Sequence, residues 1–455
     1  MSQPARAPLG TERRTIAQHA LTVLAGQLAV MAFGVTDTIV AGRYAEEALA
    51  ALSVGSAIFV SVYVSLMGIF QALLPLWAEH RGAGQPEAIG RTLRQAMYML
   101  LAACALGMGV LLFPDALLRW ADVPPPLQVE VRAYLSVLAW SLPAALLFRI
   151  YSTLNQALGH PLLVTWLQLL SLLLKIPLSI WLAFGGAGLP ALGAEGCAWA
   201  TLVVNYAMVA LAFVLMRSQS LYAPLALWQR MEPPNWPQLA QFARLGVPAG
   251  LAILVEVTSF TLMALFVARQ GTLSSASHQI AANLAALCYM VPLSLAIATS
   301  ARISYWRGAG DEAMARRLVT MGWRLAATGG LVLASALFLS REGLARIYSS
   351  NPEVVATTAS LLAWVAAYHV ADAVQTFCLF VLRCYRITVA PLVIYCLLLW
   401  GGGLAGGYWL AYGTDSALPA WLHHGTPAPF WASSACALLV TALVFSAIVR
   451  KATSR

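Results

Sequence analysis

Twelve unbroken runs of apolar residues, each long enough to cross a bilayer as a helix, dominate this sequence. They lie near 17–42, 50–77, 93–113, 131–154, 161–184, 194–216, 241–269, 278–301, 318–339, 354–382, 389–412 and 428–449. A bilayer's hydrocarbon core takes about 20 helical residues. Lipid offers no partner for open backbone groups, so only helices or a closed barrel can span it. A barrel needs short alternating segments, whereas these runs are continuous and rich in Leu and Ala. The expected fold is therefore an all-α polytopic membrane protein with twelve transmembrane helices. The chain is only 10% charged, against roughly 25% in soluble proteins. That excludes a cytosolic enzyme, a disordered chain and a secreted domain.

The net charge of +9 is explained by position, so no nucleic-acid partner is expected. With the N-terminus inside, the inner segments hold 20 Lys and Arg and the outer segments hold 6, with Lys175 left inside a span. The bias of positive residues towards the cytoplasm puts both termini there and requires an even number of spans. The first apolar run is too long for a signal-peptide core and should stay in the mature chain. Seven cysteines form no Cys-x-x-Cys pair, so they read as small apolar packing residues. His423-His424, in an outer loop, reads as a solvated turn.

The two halves repeat. Arg81-Gly82-Ala83-Gly84 recurs as Arg307-Gly308-Ala309-Gly310, an offset of 226 residues. Arg149-Ile150-Tyr151 recurs as Arg383-Cys384-Tyr385, an offset of 234. Six helices per half, both starting inside, make parallel repeats. The expected organisation is a lobe over 1–216, a cytoplasmic linker over 217–240 rich in proline, and a second lobe over 241–455. Two six-helix lobes around a central cleft suit an alternating-access transporter. The Arg-Gly-Ala-Gly string itself reads as a turn, with glycine for the bend and arginine for lipid phosphate.

Three acids fall inside the spans, Asp37, Glu256 and Asp372, with Lys175 and His369 as the bases there. A charge at mid-bilayer costs roughly 2.5–3.5 kcal/mol on insertion scales, so these residues need a reason. Asp37 and Lys175 form either a structural ion pair or a proton site, and the residues leave both readings open. Glu256 and Asp372 would share a proton or a cation if their helices pack together. Tyr368 lies four residues before Asp372, on the same helical face. It supplies a hydroxyl oxygen suited to Na⁺, which gives a candidate Na⁺ site of Glu256, Tyr368 and Asp372. His369 is a candidate proton relay, although a lone histidine on an apolar helix is more often a packing residue. Asn205, Gln279 and Asn283 are read mainly as interhelical hydrogen-bonding groups, and some of these polar residues, with Ser179, as cleft-lining. Pro248, inside the seventh run, is a candidate hinge.

At this point the chain resembles the multidrug and toxic compound extrusion (MATE) family, in its NorM-like branch. The resemblance covers about 15–450. It is carried by Gly34-Val35-Thr36-Asp37-Thr38-Ile39-Val40-Ala41-Gly42, Arg81-Gly82-Ala83-Gly84, Gly246-Val247-Pro248-Ala249-Gly250, Leu254-Val255-Glu256, His278-Gln279-Ile280-Ala281-Ala282-Asn283 and Tyr368-His369-Val370-Ala371-Asp372-Ala373-Val374-Gln375. It implies an antiporter, not an enzyme, that exports amphipathic, often cationic, organic compounds against inward Na⁺ or H⁺. No cofactor beyond that coupling ion is implied. It also implies that Glu256, Tyr368 and Asp372 match the second-lobe cation site and Asp37 the first-lobe acid. Three stretches depart from the family pattern, one of them the tenth-helix exit Arg383-Cys384-Tyr385-Arg386-Ile387, which lacks the glycine and aspartate common in relatives. Lys175-Ile176-Pro177-Leu178-Ser179 stands where relatives read Asn-Ile-Pro-Leu-Asn, so Lys175 is expected to neutralise Asp37, with Ser179 beside it. Thr22 stands where relatives often have proline. The expected setting is a monomer in a bacterial inner membrane. The rivals are an exporter of one metabolite and a lipid-linked oligosaccharide flippase; the latter needs a basic cleft that Lys175 alone does not make.

Overall fold

The computed structural model describes residues 9–120, 123–186, 188–413 and 426–454. His423 and His424 lie outside the described residues. Twelve membrane-length helices are present: α1 Leu9–Tyr44, α2 Glu46–Gly82, α3 Pro86–Leu112, α4 Pro125–Ala157, α5 Pro161–Phe184, α6 Gly193–Ser218, α7 Trp236–Ala268, α8 Thr272–Gly308, α9 Glu312–Tyr348, α10 Pro352–Cys384, α11 Val389–Tyr412 and α12 Ala428–Ser454. Each contains or closely overlaps one of the apolar runs. Most helices extend past the lipid-length core, because the backbone ladder continues wherever the sequence permits. Proline opens α3, α4, α5 and α10, where its missing N–H costs nothing. Large apolar side chains such as Leu173 and Leu339 are 69% and 81% exposed, as expected where the solvent is lipid.

The chain packs as two compact units. The first is Thr22–Gly250; the second joins residues up to Leu21 with Leu251–Arg455. These borders differ from those drawn by counting helices, and the packing explains why. The start of α1 is tied into the second unit by Glu12, which accepts from Arg302 Nε at 2.8 Å, and by Ile16 in that unit's apolar core. The start of α7 lies against α2 in the first unit. A Cβ on Gly250 would stand 2.4 Å from Ser65 O, and one on Gly246 would meet Ile69 O at 2.8 Å. Only glycine allows that approach, and the Gly-x-x-x-Gly spacing puts both on one helix face.

The segment 217–240 is also part of the first unit and is strapped down. Arg94 of α3 pairs with Glu232 at 2.7 Å and donates to Ala226 O at 2.7 Å. Tyr98 OH donates to Glu232 O at 2.8 Å. Tyr222 OH donates to Asn155 Oδ1 at 2.8 Å. The Arg94 hydrogen bond holds the Glu232 carboxyl below its ordinary range.

The internal repeat survives as geometry. The fourth helix of each half is the most enclosed of its unit, with 72% of the α4 core and 56% of the α10 core buried. Gly84 and Gly310 both take positive φ, 67° and 80°. The following N–H groups close matching caps, Gln85 to His80 O at 2.9 Å and Asp311 to Trp306 O at 3.0 Å. In both copies of the Arg-Gly-Ala-Gly string the last glycine makes the bend. The arginine has a protein partner that was not foreseen. Arg81 Nη1 donates to Ala157 O at 3.3 Å and Arg307 Nη1 to Cys384 O, so each arginine caps the last carbonyls of its half's central helix.

Candidate functional site

Two buried acidic centres lie one in each unit. In the second unit, Glu256 of α7 and Tyr368 of α10 line one cavity with Ser259, Phe260 and Met263 of α7, Leu399 and Gly403 of α11, and Ser434 of α12. The Tyr368 ring stands edge-on to Phe260 and Trp431, at 6.0 and 5.8 Å between centroids, which sets its direction. Asp372 is 2% exposed and accepts from Gln375 Nε2 at 2.9 Å. Gln375 also donates to Thr376 Oγ1 at 3.1 Å and accepts from Tyr395 OH of α11. Tyr395, Gln375 and Asp372 thus form a chain of neutral donors ending on a carboxylate.

Asp372 acts electrostatically on Glu256, as does Arg383 from the far end of α10. Asp372 and Arg383 are eleven residues apart, about 16 Å along a helix. Among the described residues no basic nitrogen lies within ion-pair distance of Glu256 or Asp372. The wall supplied by α11 is a π-helical stretch, Cys396–Ala405, a widened turn of the kind often found at functional sites. Trp400 Nε1 pins it to Val255 O at 3.2 Å, one residue before Glu256. Gly401-Gly402-Gly403 was the legible signal for this irregularity.

In the first unit, Lys175 of α5 pairs with Asp37 of α1 at 2.8 Å. Its ammonium also donates to Cys197 O at 2.9 Å and Thr201 Oγ1 at 2.6 Å, both on α6. An ammonium has three hydrogens, and all three are used. Ser179, one turn beyond Lys175, donates to the same Asp37 Oδ1 at 3.1 Å. Lys175 and Ser179 are fully buried, and Asp37 is 8% exposed. The pairing expected from the Lys-Ile-Pro-Leu-Ser string is therefore present as geometry. The α6 partners were hidden, because nothing in the sequence says which face of α6 meets α5.

The other candidates are scattered. Asn205 donates to Ser141 Oγ at 2.7 Å, joining α6 to α4. Gln279 and Asn283 are exposed on one face of α8. His369 is 2% exposed, with Nε2 unpartnered among the described residues, and the side chain bonded to Asp372 is Gln375. Pro248 sits inside α7, two residues before the chain passes from the first unit to the second.

Twelve crossing helices with ionisable side chains held inside them define a polytopic helical membrane protein. The MatE family model matches residues 23–181 and 248–409. The probable multidrug resistance protein NorM of Aromatoleum aromaticum is 37% identical, over 99% of this chain and 98% of that protein. The multidrug resistance protein MdtK of Yersinia pseudotuberculosis is 32% identical, over 96% of this chain and 95% of that protein. Among solved structures, the eukaryotic MATE transporter AtDTX14 superposes with a TM-score of 0.85 at 20% identity, covering 98% of this chain and 99% of that one. The Vibrio cholerae MATE transporter VcmN in its bent form gives 0.84 at 18% identity, covering 98% of each chain. The chain belongs to the MATE family, in its NorM-like branch.

Proposed function

We propose that this protein is a multidrug efflux antiporter that moves amphipathic, often cationic, organic compounds outward in exchange for Na⁺ or H⁺. The observation that carries the assignment of the coupling site is the contrast in partners. Asp37 already holds the ammonium of Lys175, while among the described residues no basic nitrogen lies within ion-pair distance of Glu256 or Asp372, and Asp372 accepts from the neutral amide of Gln375. A buried carboxylate without a positive partner is costly, and an incoming Na⁺ or proton removes that cost. The carboxylates of Glu256 and Asp372 and the Tyr368 hydroxyl are oxygen donors suited to a hard cation. Cation occupancy then biases alternating access, because only differential binding shifts a conformational equilibrium. An organic cation competing for the same carboxylates makes drug and ion binding antagonistic, a reciprocal coupling. The 20-to-6 distribution of Lys and Arg supports cytoplasmic termini in a bacterial inner membrane, and the protein is taken to work as a monomer.

The test is ethidium transport in proteoliposomes with Na⁺ and pH gradients imposed separately. Export driven by one gradient in the wild type, and its loss in Glu256→Gln and Asp372→Asn, is the expected result. Gradient-driven export that persists in both variants overturns the assignment of the site.

A further inference from the structure

Arg149 of α4 is 6% exposed, and its Nε and Nη2 nitrogens have no hydrogen-bond partner among the described residues. These two nitrogens form the edge of the guanidinium that grips a carboxylate through two parallel bonds. The second unit has such an edge in use, where Arg302 Nε and Nη2 donate to the two carboxylate oxygens of Glu12. Among the described residues no acid lies within ion-pair distance of Arg149. The group that acts on it electrostatically is Tyr63, and a phenol is neutral near neutral pH.

Arg149 faces a cavity within the first unit that is also lined by Gln27, Ser152, Gln156, Thr165 and Gln168, with no acid among its walls. The first residue of α5, Pro161, lines it too, so the positive end of a 24-residue helix adds to the guanidinium charge. Gln156 Oε1 is unpartnered as well and offers an acceptor to an O–H or N–H beside the anionic group. Water alone could satisfy the N–H groups but would leave the buried charge without a counter-charge, which is expensive inside a protein.

We propose that this cavity is an oxyanion site, in which a carboxylate or phosphate group sits in the Nε–Nη2 fork of Arg149. The anion comes either from a solute or from a lipid headgroup. The experiment uses the purified full-length protein in detergent. Thermal unfolding is titrated with sodium acetate and with inorganic phosphate against sodium chloride at matched ionic strength and pH, and native mass spectrometry follows retained phosphatidylglycerol. A saturable rise in Tm with acetate or phosphate beyond chloride identifies a solute site. Retained lipid that acetate or phosphate displaces identifies a headgroup site. Either response should vanish in Arg149→Gln. It should weaken about tenfold in apparent affinity in Arg149→Lys, which keeps the charge and loses the fork. No oxyanion-specific shift and no retained lipid in the wild type overturns the proposal, even if the glutamine variant fails to fold. Equal responses in wild type and Arg149→Lys overturn it too.

Discussion

The two acidic centres solve the same problem differently. Asp37 in the first unit is neutralised by a cation that belongs to the chain, an ammonium whose three hydrogens are all placed. In the second unit Asp372 accepts from a primary amide and Glu256 shares a cavity with the phenol of Tyr368, and among the described residues neither acid has a basic nitrogen within ion-pair distance. On the proposed function, Asp37 is then closed to a transported ion, because a cation attached to the chain cannot leave it. One lysine in the first unit thus separates a closed charge pair from an open one.

The largest expected effect breaks or keeps that comparison directly. Glu256→Gln and Asp372→Asn should reduce gradient-driven ethidium export to background. The paired replacement Asp37→Asn with Lys175→Gln should retain it. If the paired variant is dead and the second-unit variants pump, the roles of the two centres are reversed.

Next comes stability. Lys175→Met alone strands a buried carboxylate and should cost about 3–5 kcal/mol, read as a fall in Tm. Adding Asp37→Leu should recover most of it, because an apolar pair replaces the ionic one. Failure of that recovery would mean that the pair orders its neighbours beyond its charge. A smaller loss, roughly 1–3 kcal/mol from overpacking, is expected for Gly250→Leu, whose Cβ would meet Ser65 O at 2.4 Å. Gly329→Leu, on a helix surface with nothing within 4 Å, is the control and should change Tm far less.

The smallest effect concerns the strap. Arg94–Glu232 is partly exposed, so Glu232→Gln should cost under about 1 kcal/mol. The folded carboxyl is held below its unfolded value. The contribution is therefore complete above the ordinary glutamate range and fades as pH falls through the lowered folded value. The Tm difference between wild type and Glu232→Gln should shrink on acidification; a difference that grows would place the stabilisation elsewhere.

Much of this was readable in the chain. Lys175 and Ser179 are four residues apart, so one helix face had to carry both, and the string containing them pointed to Asp37. Gln375, three residues after Asp372, was within reach of it for the same reason. Tyr395 was not, because its part depends on how α11 leans on α10. The borders of the packed units differ from the helix-counted lobes for a related cause. Helix counting cuts at the linker, whereas glycines at 246 and 250 and the Glu12–Arg302 pair draw the first turns of α7 and α1 into the opposite units.

The sequence by itself determined that twelve helices cross a membrane, that they fall into two related sixes, and that Asp37, Lys175, Glu256, His369 and Asp372 lie within them. Lipid imposes those features residue by residue, through length, apolarity and charge placement. Only the tertiary structure decided that Lys175 spends every hydrogen it has, that Asp372 hangs from a glutamine, and that two buried nitrogens of Arg149 find no hydrogen-bond partner among the described residues. Hydrogen-bond partners are chosen by which faces of distant helices come together, and that choice is made by packing across the whole unit.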